Sequence, residues 1–129
     1  MTKTNNVQTL DEAVESLAKS FGFDAHYEFV IGDEKFRITY KQFLPAEVQC
    51  ALDQVDISLE TCDRNEAGDL LIPLRINGKA LEDSRDALRL KVIWGEEKYQ
   101  RFKAANGSPD LLSIVWLRQD TDLEKSQKA

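Results

Sequence analysis

Apolar positions change their spacing several times along the chain, and each change predicts an element. Leu10, Ala13, Val14, Leu17, Ala18 and Phe21 recur at steps of three and four. They form one stripe of an amphipathic helix. Thr9 stands ahead of the stripe with Glu12 three residues on, a capping-box pattern, and Gly22 is placed to end the helix. Acidic Asp11 and Glu12 in the first turn and Lys19 near the end suit the helix dipole. The stripe is short, so the helix needs something to pack on. Two readings stay open: a part of the domain, or a detachable arm.

The period then drops to two. Tyr27, Phe29 and Ile31 share one face of a strand, and His26, Glu28 and Val30 share the other. Gly32-Asp33 makes a turn, after which Phe36, Ile38 and Tyr40 alternate with Arg37 and Thr39. That is a β-hairpin signal, and its aromatic face needs a cover. Leu44, Val48, Leu52 and Val55 return to helical spacing, with Pro45 at the first turn and Cys50 expected near the packing seam. From Asp56 the signals weaken, and Asp63 to Asp69 reads as a loop. Leu70 to Ile76 fits a third strand, at an edge because of Pro73, with a turn at Asn77-Gly78. Equally, 56–84 fits one long irregular connection.

Helical spacing resumes after Asp83 and Ser84. Leu88, Leu90, Val92, Ile93 and Trp94 are apolar, Arg85, Arg89 and Lys91 are placed outward, and Gly95 stops or kinks the run. In the next short helix Tyr99 and Phe102 share a side, and Glu97 with Arg101 is an i,i+4 ion pair. Asn106-Gly107 ends it, and Ser108-Pro109-Asp110 opens the last helix. There Leu111, Leu112, Ile114, Val115, Trp116 and Leu117 put large side chains on both faces, which predicts a buried helix or one shared with a partner.

The pattern therefore predicts a mainly helical α+β fold. An N-terminal helix and a short antiparallel β-hairpin pack against four or so short helices, with a third edge strand as the open alternative. Residues 1–8 are expected to be flexible, 9–119 to form one domain with 56–84 as an insertion, and the charged stretch 120–129 to form a loose tail.

Composition narrows the function more than the fold. The chain has 129 residues and a formal net charge of −6, which disfavours phosphate backbones as partners. The charge is uneven: residues 53–70 carry six acids against one base, whereas 71–108 carry eight bases against five acids. The nearest thing to a nucleic-acid surface is Arg85, Arg89, Lys91, Lys98, Arg101 and Lys103 with aromatics between them. Its net charge is only +3 over 85–104, so ordinary helix packing or a protein contact is the better expectation. No apolar run is long enough to span a bilayer, and the N-terminus lacks the apolar core of a signal peptide, so cytoplasm is the default expectation.

No familiar chemistry assembles along the chain. His26 is the single histidine, and Cys50 and Cys62 match no zinc or redox spacing. Asp63, Glu66 and Asp69 sit in a glycine-containing loop, but a calcium loop counted from Asp63 puts Ala67 at its fifth position. No glycine-rich phosphate loop is present. The expectation is a non-enzymatic protein with no cofactor, no catalytic residue and no metal site.

One resemblance adds to this. The string Leu90-Lys91-Val92-Ile93-Trp94-Gly95-Glu96-Glu97-Lys98-Tyr99-Gln100-Arg101-Phe102 resembles a segment of the tail assembly chaperones of long-tailed bacteriophages and related prophages. Ser108 to Val115 looks like their next helix, Tyr27 to Tyr40 like their hairpin, and Leu44-Pro45-Ala46-Glu47-Val48 like the helix start after it. Residues 56–84 have no counterpart. The resemblance implies a protein without enzymatic activity, made in the host cytoplasm in a size that fits the short form of such chaperones. Its implied partners are the tape-measure protein and tail-tube subunits, with self-association also open. Trp94, Tyr99, Phe102, Leu112 and Trp116 are the expected protein-binding residues, chosen for amphipathicity. The alternative is a small acidic adaptor or inhibitor that uses segments 1–34 and 53–70 against a basic protein.

Overall fold

The computed structural model describes residues 9–128. Its elements run α1 (Leu10–Ser20), β1 (His26–Ile31), β2 (Glu34–Thr39), α2 (Ala46–Ser58), β3 (Arg75–Ile76), β4 (Lys79–Ala80), α3 (Arg85–Trp94), α4 (Glu96–Ala104) and α5 (Leu111–Lys128). The fold is mainly helical, with an N-terminal helix, a short antiparallel hairpin and several short helices. The loose segment expected at 1–8 lies outside the described residues.

Local chemistry explains the boundaries. Thr9 caps α1 through a reciprocal capping box with Glu12. The β1–β2 hairpin turns in two residues, since Ile31 pairs with Glu34, and Gly32 at φ 62° supplies the positive φ such a turn needs at its first position. Asn77 and Gly78 both have positive φ, at 52° and 82°, and close the β3–β4 hairpin.

The β1–β2 hairpin sits at the centre. One face carries Phe36 and Ile38, with Phe29 and Ile31 packed beside them, into a cluster with Leu52, Leu90, Phe102, Leu112 and Trp116. Two indoles close the outer edge of β2. Trp94 Nε1 donates to Arg37 O at 2.8 Å and Trp116 Nε1 donates to Thr39 O at 3.0 Å. An edge strand with its carbonyls taken offers less template for a stray strand. The opposite face holds Glu28 between Lys35 and Arg37. At the hairpin's foot, Val14 and Ala18 of α1 pack with Phe23, Ala25 and Tyr40. The helix is thus docked on the domain.

Four expectations change. The third strand does not join the first sheet; it pairs with β4 in a separate two-stranded sheet. Residues 56–84 are not one irregular connection either. α2 runs on to Ser58, and Leu59, Cys62 and Leu74 bury one another with Leu70, Leu81 and Leu88 packed around them. Cys50, expected near the packing seam, is exposed, and it is Cys62 that is buried. Finally, α5 continues through 120–128 rather than ending in a tail. Asp120 accepts hydrogen bonds from Tyr40 Oη at 2.7 Å and Lys41 Nζ at 2.9 Å, and Leu123 packs on the α1 cluster. These side chains follow Leu112, Trp116 and Gln119 down one helical face, so the face stays occupied although the composition turns polar.

Candidate functional site

The aromatic residues that the sequence marks for binding come together, but in the interior. Tyr99, Phe102, Leu112 and Trp116 are buried, and Phe102 and Leu112 have no exposed surface. Phe102 meets Phe36 edge-on at 5.5 Å and Trp94 at 5.0 Å. Trp94 alone of the five is half-buried, tilted against Phe36 and tied to Arg37. In this conformation the other four hold the core and cannot meet a partner. Helical spacing marks which positions share a face but not which face the domain covers. Burial also raises the pKa of the Tyr99 hydroxyl above its ordinary value.

The exposed apolar side chains lie elsewhere. On α5, Ile114 and Leu117 are 63% and 67% exposed, on the side away from Leu112, Val115 and Trp116. On α1, Leu10, Leu17 and Phe21 are exposed while Val14 and Ala18 of the same stripe are covered. A hollow of about 270 Å³ opens beside Tyr27 and Ile114.

Three of the six basic side chains of this segment are paired within the chain. Arg89 pairs with Asp56 at 3.0 Å and with Asp86 at 3.5 Å. Lys91 pairs with Asp83 at 2.7 Å, and that hydrogen bond raises its pKa. Arg101 does not pair with Glu97 as the i,i+4 spacing predicts. It makes a two-pronged contact with Glu34 at 2.8 and 3.0 Å, which raises its own pKa and lowers that of Glu34. The planar fork of a guanidinium matches a carboxylate across the hairpin better than one on its own helix.

The acidic loop is held by hydrogen bonds of its own. Asp63 accepts from the backbone N–H groups of Asn77 at 3.0 Å and Gly78 at 2.7 Å, so it fastens the β3–β4 turn. Asn65 Oδ1 accepts from Ala67 and Asp69 N–H, an Asx turn. Among the described residues no group of three or more His, Cys, Asp or Glu side chains is placed to hold a metal ion. No helix among them is long and apolar enough to cross a membrane.

His26 Nδ1 is 2.9 Å from Thr39 Oγ1, and its buried Nε2 has no hydrogen-bond partner. Glu15 stands 4.0 Å away. Burial, then the nearby Arg37 charge, lowers the histidine pKa despite the carboxylates around it. The Ser113 hydroxyl donates to Asp86, not to an imidazole.

A concavity larger than the hollow at Tyr27 was not marked by any sequence motif. It is a groove of about 670 Å³ between the 63–81 lobe and the first turns of α3 and α5. Leu70, Leu74 and Leu81 line it, together with Asp69, Glu82 and Asp110. Of its acids only Asp69 comes from the acid-rich stretch 53–70, and the others come from segments that no shared pattern links.

No protein-family model matches the chain, and no curated protein or solved structure does so either.

Proposed function

We propose that this chain is a non-enzymatic assembly chaperone whose partner presents amphipathic helices. In the terms of the resemblance, that partner is the tape-measure protein of a phage tail. One observation carries the reading: two helices leave apolar side chains uncovered, α1 along one edge of its stripe and α5 on the face away from the core. Leu10, Leu17 and Phe21 lie on α1, and Ile114 and Leu117 lie on α5. A partner helix in search of cover for its apolar stripe finds matching surface there. The binding set therefore moves from the buried Tyr99, Phe102, Leu112 and Trp116 to these five residues.

The test is co-expression with the tape-measure protein of a long-tailed phage. The partner's soluble fraction should rise in the presence of the chain and fall back with the Leu17→Ser/Leu117→Ser variant. Both substitutions are on exposed side chains, so folding should hold. Equal partner solubility with the wild type, with the variant and with neither would overturn the reading.

A further inference from the structure

We infer that the groove between the 63–81 lobe and the first turns of α3 and α5 docks an extended, basic peptide segment that carries an apolar residue between cationic ones. This is a second surface, separate from the helix faces above, and it stands without that reading.

Charge selects the sign of the ligand. The groove is lined by five acids, Asp69, Glu82, Asp83, Asp86 and Asp110, against Arg64 and Arg85. Arg64 is turned back onto Gly68 O at 2.8 Å, and Lys91 neutralises Asp83. Asp69, Glu82 and Asp110 have no side-chain partner among the described residues. Asp86 is occupied within the fold. It is only 7% exposed, and its Oδ2 takes the Ser113 hydroxyl. Its Oδ1 makes no hydrogen bond but is paired with Arg89 Nη1 at 3.5 Å. An incoming ammonium or guanidinium therefore meets Asp69, Glu82 and Asp110 rather than Asp86. The start of α3 alone would favour an anion, but carboxylates already stand in its first turn and just before it.

Shape selects a peptide over a small cation. The lining includes Leu70, Leu74 and Leu81, and Ile72 stands at the groove 95% exposed. No hydrogen bond joins the main-chain N–H and C=O of Ile72 to the rest of the described chain. An extended segment pairs with that main chain, lays an apolar side chain against Ile72 and the leucines, and sets its cations on the flanking carboxylates.

The probe is a synthetic peptide, Lys-Leu-Lys-Leu-Lys with capped ends, titrated into the full chain labelled with nitrogen-15. Amide shifts should saturate and concentrate in 69–74 and 81–86. Affinity should drop about fivefold between roughly 50 and 300 mM salt. The Asp69→Asn/Glu82→Gln/Asp110→Asn variant should bind roughly tenfold more weakly, and Ile72→Ser about threefold more weakly. These side chains make no internal bonds, so an unchanged spectrum away from the groove confirms folding. Equal shifts with Glu-Leu-Glu-Leu-Glu would overturn the inference. So would full reproduction by spermine, which marks a site for small polycations, or shifts confined to α1 and α5.

Discussion

The two faces of the β1–β2 hairpin are held by different physics. The face toward α3, α4 and α5 is apolar, with Phe36 and Ile38 buried and rings from β1, β2, α3 and α4 in contact. The other face is a lattice of charges. Glu28 bridges Lys35 and Arg37, and α1 brings Asp11 and Glu15 within 4.0 Å of Arg37 and His26. Exposed ion pairs of this kind contribute little each. One buried aromatic contributes more than several of them. The difference teaches where the molecule can open: α1 is held by Val14, Ala18 and weak pairs, whereas the other helices share one core.

The hardest test of that contrast is Phe102→Ala. The ring is fully buried among Phe29, Phe36, Trp94 and Tyr99, so the cavity should cost about 3–5 kcal/mol. That is a large share of a small domain's stability, about 5–15 kcal/mol. A urea melt should show global loss, and a cost under about 1 kcal/mol would mean the aromatic face is not the centre.

Gly107→Ala attacks the same face from the loop. An added Cβ would overlap the Phe102 ring, and the ring is also in contact with Phe36 and Trp94. Overpacking of this type costs about 1–3 kcal/mol. The melt should shift with α4 and α5 losing hydrogen-exchange protection together. A neutral outcome would show that the ring has room to move.

Val14→Ala probes the weaker side. Val14 is one of the two buried residues of α1, and truncating it should cost about 1–2 kcal/mol. The loss should be local: faster exchange across 10–20 while the amides of α3 to α5 keep their protection. Uniform loss through the whole domain would mean that α1 is as integral as the other helices and would erase the contrast.

How much of this was legible depends on how local each determinant is. The α1 cap, the first hairpin and its aromatic face follow from neighbours in sequence, and they stand where spacing puts them. The cysteines do not. Cys50 lies on a good helical pattern, but the covered face of α2 is set by Leu52, with Val48 and Val55 beside it, and Cys50 falls outside. Cys62 looks polar by its neighbours, yet the turn at Leu59–Thr61 folds it against Leu74, a contact no period announces. The candidate surfaces fail the same way. Amphipathicity found the helices of the aromatic cluster but chose its inner face, and the acidic groove needs Asp69, Glu82 and Asp110 from separate segments.

The smallest expected effect lies at His26, between the two physics. Its imidazole is buried against Thr39, with Glu15 and Asp11 facing it from α1 and Arg37 and Glu28 from the hairpin. Burial and the Arg37 charge set its folded pKa below the ordinary 6.5, although the three carboxylates pull the other way. The unfolded chain therefore takes up the proton first as pH falls, and the native state loses ground. The contribution is fully present above about pH 6.5 and is lost as pH drops through the folded value. Glu12, Glu28, Glu34 and Asp120 are held below their own ordinary values, so their losses begin only in the carboxylate range. For Asp120, burial opposes that shift, and the bonds from Lys41 and Tyr40 outweigh it. Between about pH 7 and pH 5.5, wild-type stability should decline, with α1 exchanging first, whereas His26→Gln should stay nearly level across that range because its amide does not titrate. Parallel decline of both proteins would locate the sensitivity elsewhere, and the polar face would then owe its hold on α1 to Val14 and Ala18 alone.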